Sequence, residues 1–313
     1  IPLRLVGSEM CIRDSPYMGK KLGGSTASGE AVYIEHINNY YYMFLSYGGL
    51  VANGGYNMRV FRSENPDGPY TDVSGDGALK GGGTNGTIGT RLMSYYKWSY
   101  AKNAQVAQGH NSAFVDDDGN AYVVYHTRTN NGTEYHSVRV HQLFTTENDY
   151  LVAAPFEYSK TDEVKTTYST EEIAGGYEIL FQNNTNNELL EYNEPKNITL
   201  QEDGTITGDV TGTWSETDGT AFVKMTIDNV VYEGTFVNQT IEETDAKALC
   251  FTAVGNNDIC LWGMKPESEA VSTELAANSI SLPTKVSDDI ILPTEGNMGT
   301  AISWESKSDF ILK

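Results

Sequence analysis

Short apolar segments, rich in Tyr, Val, Ile and Phe, recur through most of the chain and are separated by Gly, Asn and Asp. This pattern predicts β-strands, because side chains alternate between the two faces of a strand and turn residues end it. Segments with helical period are scarce, so we expect an all-β protein. The predicted strands of the first half are residues 32–35, 40–47, 57–62, 110–115, 121–126 and 136–143.

The second half continues the same pattern with regular short strands. They are predicted at residues 177–181, 197–200, 212–214, 221–228, 231–237, 249–254 and 259–264. Turn pairs such as Asp203-Gly204 and Asn256-Asn257 join them, which is typical of a small antiparallel barrel. The polar residues 161–174 are expected to form a linker, and residues 266–273 a polar tether. Beyond the tether, residues 280–283, 290–293 and 301–304 resemble the opening strands of an immunoglobulin-like module.

The chain carries a formal net charge of −21. Nucleic acids and anionic membrane surfaces bind through basic patches, so the charge argues against both as partners. No apolar run of about 18 residues is present, which argues against a membrane span. Neutral or cationic partners remain open, and we expect the protein to be a monomer.

The three cysteines, Cys11, Cys250 and Cys260, are too few for a disulfide scaffold or a Cys-rich zinc site. Cys250 and Cys260 flank a predicted hairpin turn at residues 255–258. A symmetric turn pairs residue 260 with residue 253 and places Cys250 on the opposite face. Two separate core cysteines are therefore favoured over a disulfide, unless a bulge shifts the register.

Residues 1–15 look like a translated sequencing adapter and are left out of the fold prediction. They lack the apolar core of a signal peptide. We therefore expect that the native protein begins well upstream of Pro16 and that this chain is a fragment of it.

Candidate chemistry is concentrated before residue 160, which includes all five histidines and most of the tyrosines. Glu30 stands just ahead of a predicted strand and is followed by Tyr- and Gly-rich loops. Such a composition is expected where a rigid β scaffold presents an acid to a sugar. A single Glu beside a strand also fits a solvated rim residue.

The first half resembles the C-terminal part of a glycoside hydrolase family 43 catalytic domain, the five-bladed β-propeller of the endo-1,5-α-L-arabinanases and their relatives. The resemblance rests on Gly-Glu-Ala-Val-Tyr (29–33), Phe-Leu-Ser-Tyr-Gly-Gly (44–49), Arg-Val-Phe-Arg-Ser (59–63) with Gly-Pro-Tyr (68–70), Gly-His-Asn-Ser-Ala (109–113), and Val-Arg-Val-His-Gln-Leu-Phe (138–144) with Ala-Ala-Pro (153–155). It implies a partial propeller over residues 16–160. Residues 175–265 resemble the lipocalin-like barrel that follows such domains, and residues 275–313 a partial bacterial Ig-like domain.

The resemblance implies hydrolysis with inversion, with Glu30 as the general acid. The family's catalytic base and its pKa-tuning Asp precede the acid, and no Asp occurs in residues 16–29. The fragment is therefore expected to be inactive. The family usually has Pro where this chain has Val32, so the loop that sets Glu30 is expected to be less rigid.

The resemblance also implies further site residues. His110 is expected to help hold a calcium ion, mostly through water, since calcium prefers oxygen ligands. Tyr47, Gly48 and Asn111 are candidates for substrate binding, through a stacking face, close backbone approach and hydrogen bonds. Packing and turn formation are the alternative for each. We expect His126, His136 and His141 to be structural.

The predicted activity is cleavage of α-1,5-linked L-arabinan by a secreted or cell-surface enzyme. Two alternatives stay open. One is a non-catalytic carbohydrate-binding or adhesion protein on the same fold, and the other is an exo-acting arabinofuranosidase or xylosidase. The upstream sequence would distinguish the non-catalytic alternative from a hydrolase, because only an enzyme needs two Asp residues there.

Overall fold

A computed structural model describes residues 30–80, 88–182 and 191–306. Within these ranges the chain forms two open antiparallel sheets and one closed antiparallel barrel. The all-β prediction is therefore confirmed. No helix of the described ranges is long and apolar enough to cross a membrane.

The first sheet has the order β1-β2-β3. Its strands are β1 (Glu30–Ile37), β2 (Tyr40–Tyr47) and β3 (Asn57–Ser63). The aromatic strand β2 lies in the middle and is buried from Tyr42 onward, which explains its continuous apolar sequence. Two bridges extend the sheet beyond β3, one between Val60 and Thr90 and one between Arg62 and Thr71. A short 3₁₀ turn at Ala78–Lys80 lies between Thr71 and Thr90 in the chain.

The second sheet has the order β4-β5-β6-β7. Its strands are β4 (Gln105–Val115), β5 (Ala121–Thr129), β6 (His136–Thr145) and β7 (Leu151–Ala153). A hairpin turn joins β4 to β5, and in it the Asp116 carboxylate accepts the Asn120 N–H at 2.8 Å. Both sheets are consistent with propeller blades. The closure into five blades stays a prediction.

The closed barrel spans residues 175–266, as predicted. Its strands are β8 (Gly175–Gln182), β9 (Lys196–Leu200), β10 (Thr205–Gly208), β11 (Gly212–Glu216), β12 (Phe222–Ile227), β13 (Val230–Thr240), β14 (Lys247–Gly255) and β15 (Cys260–Pro266). Side chains such as Tyr177, Phe251 and Leu261 fill the interior. Strand β10 was not predicted.

Residues 161–174 do not form a free linker, contrary to the prediction. Glu163 pairs with Asn238 of the barrel through two backbone hydrogen bonds. Helix α1 (Thr170–Ile173) starts at a capping box made by Ser169 and Glu172. Tyr168 and Ile173 are buried within the barrel's core cluster. The polar sequence concealed this docking because its two apolar side chains do not follow a strand or helix period.

The predicted tether is also partly wrong, because helix α2 (Glu269–Ser279) begins inside it. The Ser268 hydroxyl accepts the Val271 N–H and caps the helix, and the Glu, Ala and Leu residues that follow are good helix formers. In the described residues 280–306 no strand forms beyond the single bridge between Glu295 and Ala301. The Ig-like module is therefore not confirmed.

The hairpin of β14 and β15 pairs Cys260 with Val254 and not with residue 253. The one-residue difference places Cys250 and Cys260 on the same face of the sheet, against our expectation. The turn is asymmetric because Asp258 adopts a positive φ of 62°. Both cysteines are nevertheless buried and free, as expected.

One outer face of the barrel is buried against the two sheets. Trp262 stacks on His141 of β6, with ring centroids 6.0 Å apart, and meets the edge of the Tyr96 ring at 5.1 Å. Hydrogen bonds also cross this interface. The Gln239 amide accepts the Phe156 N–H and donates to the Phe156 carbonyl, both at 3.0 Å. Sheets and barrel therefore share one core.

Glu178 generates a prediction about this interface. Its carboxylate is fully buried and accepts hydrogen bonds from the Ser99 N–H and hydroxyl. Burial raises the pKa of Glu178 from 4.5 to about 7. Between these values the folded state holds a proton that the unfolded state releases, so this group's contribution to stability falls as the pH rises from about 4.5 to about 7.

We expect Glu178→Gln to remove this pH dependence. The urea midpoint of the variant, followed by tryptophan fluorescence, should rise relative to that of the unmodified protein as the pH increases from 5 to 8. Glu202→Gln, at an exposed position of the same barrel, serves as the control and should show no such trend. Parallel pH profiles for Glu178→Gln and the unmodified protein would contradict the assignment.

Candidate active site

Glu30 lies at the first described residue of β1, at the junction of the two sheets. Its Oε1 accepts a hydrogen bond from the Tyr56 hydroxyl at 2.6 Å, and His110 Nδ1 lies 3.9 Å from the same oxygen. The Glu30 side chain is 46 % exposed. A carboxylate thus faces solvent at this junction while one of its oxygens is held by the protein.

Two irregularities in strand pairing bring Glu30 and His110 together. The pairing of β1 with β2 shifts between Glu30 and Tyr33, and Ala31 has a positive φ of 52°. The pairing of β4 with β5 shifts on both sides of Gly109, and His110 has a positive φ of 53°. Such bulges re-aim side chains that regular pairing directs elsewhere. Residue spacing alone gives no signal for either bulge.

Backbone hydrogen bonding fixes His110 in this place. Its N–H donates to the Ser46 hydroxyl oxygen at 2.8 Å, and that hydroxyl donates to Asn111 Oδ1 at 3.1 Å. Ser46 belongs to β2, so it links the first sheet to the second. The His110 side chain itself is 64 % exposed.

Glu30 and His110 are the described groups closest to the predicted calcium ion. Calcium takes six to eight oxygen ligands, and Glu30 and His110 offer one carboxylate and one imidazole. Among the described residues no three His, Cys, Asp or Glu side chains are grouped to hold a metal ion. The described residues do not fit a complete calcium site by themselves, so the calcium role of His110 stays a prediction.

The three predicted substrate-binding residues are placed differently from our expectation. The Tyr47 side chain is 1 % exposed and packs among buried residues of the first sheet, so it offers no stacking face here. Asn111 is also buried, and its Oδ1 is used by Ser46. A Cβ at Gly48 would lie 2.4 Å from the Gly55 carbonyl oxygen. The missing side chain of Gly48 therefore allows the backbone of the adjacent loop to approach closely. The structure does not support substrate contact by Tyr47 or Asn111.

Tyr56 was not predicted to be a site residue, and His126 and His136 were expected to be structural. The Tyr56 ring stacks on His126 with a centroid distance of 5.4 Å and an interplanar angle of 13°. The ring centroid of His136 lies 5.4 Å from that of His126. Burial, together with the neighbouring His136 and Arg128, lowers the pKa of His126 to about 4, so its ring is neutral at physiological pH. His141 is structural, as expected, since its buried Nδ1 lies 2.8 Å from the Ala154 carbonyl oxygen.

Two family models match the chain in succession. Residues 14–162 match Glycosyl hydrolases family 43, and residues 155–263 match the C-terminal lipocalin-like domain of that family. The boundary between them falls close to the end of the second sheet.

Curated relatives and solved structures agree with these matches. The chain is 34 % identical over 264 residues to an extracellular endo-α-(1→5)-L-arabinanase of Bacillus subtilis, covering 80 % of this chain and 55 % of that protein. An extracellular arabinanase of Thermotoga petrophila is 36 % identical over 265 residues, with the same coverage. The chain thus spans about half the length of these relatives.

A crystal structure of a family 43 glycoside hydrolase protein from Bacillus licheniformis matches with a TM-score of 0.73 and 35 % identity, covering 80 % of this chain and 58 % of that one. The Thermotoga petrophila endo-1,5-α-L-arabinanase structure also has a TM-score of 0.73 and 35 % identity, with coverage of 79 % and 57 %. The matched residues 14–263 therefore belong to glycosyl hydrolase family 43, with its C-terminal lipocalin-like domain following the glycosidase part.

Proposed function

We propose that this chain carries the general acid of a secreted hydrolase that cleaves α-1,5-linked L-arabinan. The observation that carries the proposal is Glu30, a half-exposed carboxylate held at the junction of two sheets of family 43 type. The names of the relatives, both extracellular endo-arabinanases, support arabinan as the substrate and an internal bond as its target. The high negative charge is compatible with a neutral polysaccharide.

In the proposed reaction, protonated Glu30 gives its proton to the departing glycosidic oxygen. A second carboxylate activates water on the opposite side of the sugar, so the product has inverted configuration. Inverting enzymes hold these two carboxyl groups about 6.5–9.5 Å apart to leave room for the water. Under this proposal the base and the pKa-tuning Asp lie outside the described residues. His110 would help to hold a calcium ion, mostly through water.

The first test uses the chain as it stands. We expect purified residues 1–313 to release no more reducing sugar from linear arabinan than the Glu30→Gln variant of the same chain, because water activation by the base is missing. Loss of a base typically costs about 10²–10⁴ in rate. Glu30-dependent release by the chain alone would show that it contains the complete catalytic machinery.

The second test supplies the missing part. The segment of the Bacillus subtilis arabinanase that precedes the stretch aligned with this chain is joined ahead of residue 16. We expect the fusion to hydrolyse linear arabinan, and Glu30→Gln to lower its kcat about 10²–10⁴-fold. On an aryl arabinofuranoside with an acidic phenol as leaving group the loss should be much smaller, because such a leaving group departs without protonation.

Glu35→Gln, on the same strand of the fusion protein, serves as the matched control and should leave both rates unchanged. Equal losses on the two substrates for Glu30→Gln would argue against the role of acid. A fusion that folds and binds arabino-oligosaccharides without any hydrolysis would favour the non-catalytic alternative.

A further inference from the structure

We propose that Tyr56 is a positioning residue for Glu30: it holds Oε1, so that the acid carries its transferable proton on Oε2. This proposal rests on the proposed function, in which Glu30 is the general acid. The contact that supports it is the hydrogen bond from the Tyr56 hydroxyl to Glu30 Oε1, with a length of 2.6 Å. At this distance the bond is short for an O–H donor, as expected when the acceptor is a carboxylate.

The packing around the Tyr56 ring determines where its hydroxyl lies. One face of the ring stacks on His126, nearly in parallel. Gly109 lies against the ring edge, and a Cβ at this position would be 2.2 Å from Cε1 of Tyr56. The Tyr56 side chain is completely buried. The ring therefore has little freedom to move, and its hydroxyl reaches the carboxylate in a fixed orientation.

Tyr56 and the His126 ring that stacks on it are suited to a constant role. Burial, and the hydrogen bond to Glu30, raise the pKa of Tyr56, so its hydroxyl remains a donor over the physiological pH range. The neutral His126 ring supports Tyr56 without placing a positive charge beneath it. His110 Nδ1 is farther away, at 3.9 Å from the same oxygen. Of these two described side chains, Tyr56 is thus the one within hydrogen-bond distance of Glu30.

The chemical consequence concerns proton transfer. A neutral carboxyl group that accepts at Oε1 keeps its proton on Oε2, which is the oxygen left for the glycosidic bond. When the proton moves to the leaving group, the O–H bond of Glu30 breaks and the carboxylate gains the negative charge. The hydrogen bond from Tyr56 then becomes charge-assisted and stronger. An interaction that strengthens in this way stabilises the transition state more than the ground state.

The first experiment examines the contact in the full chain, whether or not it is active. The protein is labelled with tyrosine carrying ¹³C at Cζ, and Tyr56→Phe identifies the Tyr56 resonance by its loss. We expect Glu30→Gln to shift this resonance, because the acceptor loses its charge. Gly109→Ala should shift it too, because the ring is displaced. Tyr135→Phe, at an 84 % exposed tyrosine, should leave it in place.

Circular dichroism on each variant shows whether the fold is kept. Because Gly109→Ala is the variant most at risk of misfolding, Glu30→Gln decides this arm. A Tyr56 resonance that does not respond to Glu30→Gln overturns the contact and with it the proposal.

The second experiment measures the role in the fusion protein described above. We expect Tyr56→Phe to lower kcat on linear arabinan about 10- to 100-fold, the range for a hydrogen bond to a charged group. The loss should shrink on the aryl arabinofuranoside, as it does for Glu30→Gln. Tyr135→Phe should behave as the parent. A purely structural role would lower both rates equally, and that result would overturn the proposal.

The two arms separate the two hypotheses. If Glu30→Gln keeps the full hydrolytic rate, the proposed function fails and the positioning role fails with it, even where the resonance shift confirms the contact. If Glu30→Gln is impaired on arabinan alone while Tyr56→Phe is not, the proposed function stands and only the positioning role is overturned.

Discussion

The packing of the barrel's outer face against the two sheets determines how the junction of the sheets is built. From this face Gln182 Oε1 accepts the Ser94 N–H at 2.8 Å, and the Ser94 carbonyl accepts Gln108 Nε2 at 3.2 Å. Gln108 directly precedes Gly109 and lies in the irregular part of β4. The buried polar contacts of the barrel thus extend to the segment that includes Gly109. The Tyr56 ring lies against Gly109, where an added Cβ would be 2.2 Å from Cε1 of the ring. If the barrel packed less tightly against the sheets, this segment would lose these contacts as well.

The same segment carries conformational strain that the packing must offset. Ala107 and His110 both have positive φ, which costs a non-glycine residue of order 1–3 kcal/mol. The hydrogen bond from the His110 N–H to Ser46 and the burial of Ala107 work against that cost. Strained residues of this kind persist only where the surroundings over-determine them. Their presence beside Glu30 is consistent with a site whose geometry is kept at the expense of stability.

Side-chain alternation and turn residues were enough to predict the barrel and most strands of both sheets. The predictions failed where a single residue changes the outcome. The αL conformation of Asp258 shifted the hairpin register by one position, and the capping hydroxyl of Ser268 started a helix in a segment expected to be a tether. At the candidate site, Glu30 was predicted through its motif. Tyr56 was not, because its contact depends on a bulge and on the missing Cβ of Gly109, and neither leaves a periodic pattern.

If Glu30 is the general acid, its surroundings must keep it protonated near neutral pH, which needs burial or a nearby negative charge. The contacts seen here provide neither. The side chain is 46 % exposed, and its two closest polar neighbours are the Tyr56 hydroxyl and the His110 imidazole. The hydrogen bond from the Tyr56 hydroxyl strengthens when the carboxyl group gives up its proton, because the acceptor then carries the negative charge. The proposed mechanism therefore assigns opposite tasks to two sides of one carboxyl group: the described residues stabilise the product of proton transfer, and the groups that hold the proton beforehand must approach from the open side.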